Sequence, residues 1–111
     1  GHARAQTAIG VSFYRGEGVA QDHVTARGWF LEGALGGDID AMVNLAAMQV
    51  RGQGGEADPV RAWAWLTLAR DEGRADLAPG IAALESRMSA ADLARARALI
   101  DPAPRVKDGA P

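Results

Sequence analysis

Residues 15–22, RGEGVAQD, place an arginine, two glycines and a closing aspartate in a short run. A glycine-rich backbone can cradle a phosphate, and a guanidinium can clamp it. The run lacks the other parts of such a site. A P-loop needs lysine ahead of Ser or Thr, and a dinucleotide loop needs G-x-G-x-x-G between a strand and a helix. Residues 15–22 offer neither. The same pattern returns at residues 51–58 as RGQGGEAD. Glycines that recur with a fixed period belong to a repeated turn between helices.

Other chemistry is as poorly supplied. A metal site wants three or four converging His, Cys or carboxylate groups. The chain has no cysteine and two histidines, His2 and His23. His23 follows a helix cap and is expected to face solvent. Asp38/Asp40 and Asp71/Glu72 suit helix ends on solvated surfaces. The latter pair, at a helix C-terminus, opposes the dipole. Ser12, Ser86 and Ser89 have structural roles, and no Ser/His/Asp or Cys/His set is evident. No catalytic, cofactor-binding or metal-ligating residue is expected, and no enzymatic activity. A net charge of −2 gives no field that would select nucleic acid. No apolar run reaches the roughly 18 residues of a membrane span, so no direct membrane insertion is expected. No signal peptide is evident. The Gly1-His2 start resembles a tag remnant, which suggests a piece of a longer protein.

The turns must be held by helices, and the pattern supplies them. A shift of 36 superposes Ala5 on Ala41, Arg15 on Arg51, Gly16 on Gly52 and Gly18 on Gly54. Asp22, Val24, Ala26 and Trp29 fall on Asp58, Val60, Ala62 and Trp65. In each unit the first helix carries an apolar stripe: Ala5, Ile9 and Phe13 in the first copy. It stops at Gly16, or Gly52, where a left-handed residue costs no Cβ clash. Asp22 and Asp58 cap the second helix, with Pro59 at its first position. The tryptophans are expected to supply most of its buried area. Gly28 and Gly33 inside a helix each cost about 1 kcal/mol relative to alanine, and tight packing is expected to explain both. A third copy starts with a helix over about 75–87, then loses its glycine turn. Ser89 caps a last helix. Residues 101–111, DPAPRVKDGAP, form an expected flexible, proline-rich tail.

These residues resemble Sel1-like repeats, relatives of the tetratricopeptide repeat. The pattern is roughly A-x3-LG-x2-Y-x2-G-x-GV-x2-D-x3-A-x2-W-x3-A-x3-G. Ala5, Ile9-Gly10, Phe13, Gly16, Gly18-Val19, Asp22, Ala26, Trp29, Gly33 and Gly37 follow it. So do Ala41, Leu45, Gly52, Gly54, Asp58, Ala62, Trp65, Ala69 and Gly73. Ala46, Gln49 and Gly55 depart from it, which suggests looser packing in the second hairpin. The resemblance implies an all-α, right-handed α-solenoid of antiparallel helix pairs: two repeats, about 5–40 and 41–76, and a variant C-terminal capping hairpin, 75–100. The repeat domain spans 3–100. A non-enzymatic scaffold or adaptor for a protein or peptide partner is implied, in bacterial envelope signalling, localisation or complex assembly. The alternative is a structural spacer or oligomerisation domain of a longer cell-envelope protein. The periplasm or cell envelope is the expected compartment.

By analogy with tetratricopeptide repeats, a groove is lined by Arg4, Thr7, Ala8, Val11, Tyr14 and Arg15. The second repeat adds Asp40, Val43, Asn44, Ala47, Val50 and Arg51. Tyr14, Arg15, Val43, Asn44, Ala47, Val50, Arg51 and Arg87 are the expected partner-binding residues. Arg15, Arg51 and Arg87 recur at the repeat period, each at the end of a first helix. A cation there complements the helix dipole, worth about 0.3–1 kcal/mol, or forms a guanidinium ladder for an acidic partner. Asn44 sits where relatives often use an asparagine amide to pair with a bound peptide's backbone. Trp63 lies outside the pattern, either partly exposed or buried against the third hairpin.

Overall fold

A computed structural model describes residues 1–100; the expected tail, 101–111, lies outside them. The described chain is all-α. It runs through α1 (His2–Arg15), α2 (His23–Leu35), α3 (Ile39–Arg51), α4 (Pro59–Asp71), a single 3-10 turn (Ala75–Leu77), α5 (Ala78–Glu85) and α6 (Ala90–Ile100).

The repeated turns are alike in detail. Gly16 and Gly52 end α1 and α3 at φ 72° and 70°, the left-handed region where a side chain is penalised. Their N–H groups return to the carbonyls of Ser12 and Met48. Each loop closes through the same bond: Asp22 N–H donates to the Phe13 carbonyl at 2.9 Å, and Asp58 N–H to Gln49 at 2.8 Å. The two aspartates then cap α2 and α4, accepting from the backbone N–H of Thr25 at 3.1 Å and of Arg61 at 3.0 Å.

Two core clusters stack along the chain. The first joins Ala26, Phe30 and Ala34 of α2 to Ala41, Leu45 and Met48 of α3. The second joins Ala62 and Trp63 of α4 to Ile81 and Leu84 of α5 and Ala96 of α6. Trp65 and Leu77 touch both. Trp63 is therefore core, 6% exposed, and its indole N–H donates to Glu85 Oε2 at 2.8 Å.

Several expectations are corrected. The stripe of α1 is only partly covered: Phe13 is half-buried against the first core cluster, but Ile9 is 39% exposed, whereas Leu45, its counterpart, is 1% exposed. Leu45 packs on the helix of the preceding repeat, and among the described residues nothing stands in that place beside α1. Trp29, half-buried like its counterpart Trp65, joins neither cluster. Of the two helical glycines only Gly33 is tightly packed; a Cβ on Gly28 would meet nothing within 4 Å. The third unit begins with a 3-10 turn because Pro79 has no N–H to offer Ala75. The N–H of Ala78 takes that carbonyl in a tighter bond. α5 then ends at Glu85, and the chain leaves it through Arg87 N–H to Leu84 and Met88 N–H to Glu85. Arg87 thus lies in a turn and not in a last helical turn. α5 and α6 both lie against α4.

Asp58 also offers a pH probe. Burial raises its pKa, but the backbone and side-chain hydrogen bonds from Arg61, with the charges of Arg61 and Arg27, hold it below the ordinary carboxylate value. A carboxylate depressed on folding stabilises above its unfolded pKa, about 3.9, and that stability is lost as pH falls through the folded value. Asp58→Asn keeps a capping oxygen but not the charge. The wild-type advantage in Tm over this variant should be full above about pH 5 and shrink on acidification. A gap independent of pH would show that the charge contributes nothing.

Candidate functional site

The spacing of α1 and α3 places their exposed faces side by side, with two adjoining hollows between them. One, of about 220 Å3, is lined by Val11, Tyr14, Arg15, Phe30, Asn44, Ala47, Met48 and Arg51. The other, of about 380 Å3, is lined by Arg4, Thr7, Ala8, Val11, Asp38, Asp40, Val43, Asn44 and Arg74. Asn44 and Val11 line both.

Five of the eight sequence-selected residues, Tyr14, Arg15, Asn44, Ala47 and Arg51, therefore meet in the first hollow, and Val43 joins Asn44 in the second. Val50 packs against the second core cluster. Arg87 is exposed beyond α5 and lines neither hollow. The arginine column has two members here because α5 ends too early to carry a third.

Charge is distributed unevenly along this face. The first hollow holds two guanidinium groups and no carboxylate among its lining residues. Among the described residues, Arg15 has only a distant, exposed partner, Glu17, at 4.0 Å. The second hollow balances its charges. Arg74 reaches Asp40 at 3.8 Å and is held by Asp76 at 2.9 Å. The hydrogen bond and charge of Asp76 raise the Arg74 pKa, and the reciprocal bond lowers that of Asp76.

The walls are fixed by contacts that the sequence pattern does not announce. The Tyr14 hydroxyl donates to Gln53 Oε1 at 3.1 Å, and its ring stacks on His23 at 4.8 Å. His23 is accordingly half-buried and not a solvent-facing residue. The Thr7 hydroxyl donates to Asp38 Oδ2 at 2.7 Å, while the same carboxylate caps α3 through the N–H of Ala41. Arg27 spans the repeats, donating to the carbonyls of Gln53 at 3.1 Å and Glu56 at 3.0 Å. It clasps the second glycine turn, whose Gly54 lies so near the His23 carbonyl that a Cβ would strike it. Cross-repeat bonds of this kind have no fixed spacing, so periodicity is blind to them. Among the described residues, no three His, Asp or Glu side chains gather as metal ligands, and no helix is long and apolar enough to cross a membrane.

The pattern of the Sel1 repeat matches residues 3–38 and again residues 39–73. The chain belongs to the Sel1 repeat family. Two solved structures share its architecture. One is a protective antigen present in uropathogenic Escherichia coli strains and displaying an SLR fold. It is 35% identical over 67% of this chain, with a TM-score of 0.64. The other is a Sel1 repeat protein from Oxalobacter formigenes, 33% identical over 74% of this chain, with a TM-score of 0.71. The chain spans 16% and 24% of the lengths of those proteins. No curated protein matches it at a significant level. Sel1 repeats are generally protein–protein interaction scaffolds and typically non-enzymatic.

Proposed function

We propose that this Sel1 repeat chain is a non-enzymatic adaptor that binds an extended segment of a partner protein along the face of α1 and α3. The observation that carries this reading is the first hollow: Arg15 and Arg51 converge on it with no acid among its lining residues. An acidic group of the partner would pair with those guanidiniums in charge-assisted bonds. Asn44, at the junction of the hollows, would pair with the partner's backbone, while Tyr14, Val43 and Ala47 supply apolar contact. A bacterial envelope role, in signalling, localisation or complex assembly, is in keeping with the likeness to a protective antigen of E. coli.

Crosslinking in cells followed by mass spectrometry would identify the partner. Asn44→Ala combined with Arg51→Ala should reduce its capture by about tenfold or more while leaving the helical circular dichroism signal unchanged. Capture that survives this pair of substitutions would place the contact elsewhere.

A second reading has its own support. Ile9 and Ala5 are exposed on the α1 side, where the equivalent Leu45 and Ala41 are buried against a neighbouring helix. A spacer or oligomerisation domain of a longer envelope protein would cover that face. Light scattering over a concentration series should then show association that Ile9→Glu abolishes; a monomer at all concentrations would exclude self-association.

A further inference from the structure

A separate concavity lies among the second helices. It is a cleft of about 530 Å3 walled by α2 and α4, floored by Leu45 and Gln49 of α3, and closed at one end by Leu99 and Ile100 of α6. Its floor contains an anomaly. Gln49 is 4% exposed, yet its Oε1 accepts no hydrogen bond among the described residues. A buried acceptor left unpaired costs about 1–3 kcal/mol, so the position is poorly explained as packing. One repeat earlier the same register position is Phe13, whose ring packs against the first core cluster. Gln49 brings no ring to its own repeat. Where the aromatic is missing, Gln49 lines the cleft with its amide oxygen buried just beneath the surface.

The surrounding charges narrow what fits. Arg27 spends its guanidinium on the carbonyls of Gln53 and Glu56. Arg61 and Asp58 at the rim pair with each other at 3.0 Å. Neither arginine is left to call for an anion. The remaining surface is apolar, with Leu45 and Trp65 inside and Leu31, Leu35, Leu68 and Leu99 exposed around the mouth. A fitting occupant is neutral, flat and apolar, and carries one hydrogen-bond donor at its inner end. The terminal torsion of a glutamine is broad, so rotation of the amide can present its oxygen to that donor. The exposed leucines extend the apolar surface beyond a single ring, as flanking residues of a bound chain would require.

We propose that this cleft binds the side chain of a tyrosine presented by a partner polypeptide, its hydroxyl donating to Gln49 Oε1 and its ring lying against Trp65. This site is distinct from the α1/α3 face and does not depend on it.

The test is a protein NMR titration of the full chain with three probes: p-cresol, the blocked peptide Ala-Tyr-Leu, and the blocked peptide Ala-Phe-Leu. The tyrosyl peptide should shift the Gln49 side-chain amide and the Trp65 indole signals, and should bind more tightly than p-cresol. The phenylalanyl peptide should bind about fivefold more weakly, the loss of one neutral hydrogen bond. Gln49→Leu removes the acceptor and should erase the difference between the two peptides. Gln49→Phe refills the cleft and should abolish binding of both, with a Tm at or above that of the wild type as proof of folding. Equal affinity of the two peptides for the wild type would overturn the proposal. So would shifts that miss Gln49 and Trp65, or p-cresol binding as tightly as the peptide.

Discussion

Trp63→Ala is expected to cost about 3–5 kcal/mol, the usual range for removing a buried large aromatic. For a domain of this size that corresponds to a fall in Tm on the order of 20 °C. The indole is the largest side chain of the second core cluster, where α4 meets α5 and α6. Its removal leaves a cavity facing Ile81, Leu84 and Ala96 and strips Glu85 of the N–H that it accepts from at 2.8 Å. Two further variants separate these terms. Trp63→Phe keeps most of the apolar area but not the donor, and should cost about 1–2 kcal/mol. Glu85→Gln keeps an acceptor and should cost less than that. The comparison with Trp29 is the sharper check. Trp29 occupies the repeat-pattern position but is half-buried and joins neither cluster. Trp29→Ala should therefore be the milder change. Chemical denaturation that ranks Trp29→Ala as the more damaging would contradict this account of the core.

That ranking inverts what the repeat pattern suggests, and the inversion shows where periodicity stops. The period of 36 located α1 to α4, both glycine turns and both aspartate caps, because each is decided by neighbours close in sequence. It also gathered Tyr14, Arg15, Asn44, Ala47 and Arg51 onto one surface, since positions that match in consecutive repeats stack in space. Three things lay beyond it. A pattern position is buried only when the adjoining repeat is there to cover it, which is why Leu45 is core and Ile9 is not. The third unit obeys its own local chemistry: Pro79 forces a 3-10 start and no left-handed glycine ends α5, so Arg87 falls out of line. Contacts between repeats, such as Arg27 on the second turn or Thr7 on Asp38, join residues with no common spacing. The departure at Gln49 was visible as a missing aromatic. Only the packing of α2, α4 and α6 shows that Gln49 lines a cleft.

Gly33→Ala should destabilise by about 1–3 kcal/mol, although the second repeat carries Ala69 at the same register position and alanine is the better helix former. A Cβ built on Gly33 lies 2.5 Å from Thr7 Oγ1, 2.9 Å from Ala41 Cβ and 3.1 Å from the Ala3 carbonyl. Two of those neighbours are backbone or a short stem on another helix and cannot swing away. The third is the hydroxyl that ties α1 to the cap of α3 through Asp38. Relief of the clash therefore moves α2 away from its partners or breaks the Thr7–Asp38 bond, and either loosens the joint between repeats. Gly28 makes the control. It lies on the same helix, a Cβ there meets nothing within 4 Å, and Gly28→Ala should stabilise by about 0.5–1 kcal/mol through helix propensity alone. The two substitutions thus have opposite signs for one chemical change. A double-mutant cycle assigns the cause: Thr7→Ala with Gly33→Ala should cost less than the sum of the single changes, because the hydroxyl that clashes is already gone. Strict additivity would mean that Ala41 and the Ala3 carbonyl, and not Thr7, set the limit on how closely α2 approaches its neighbours.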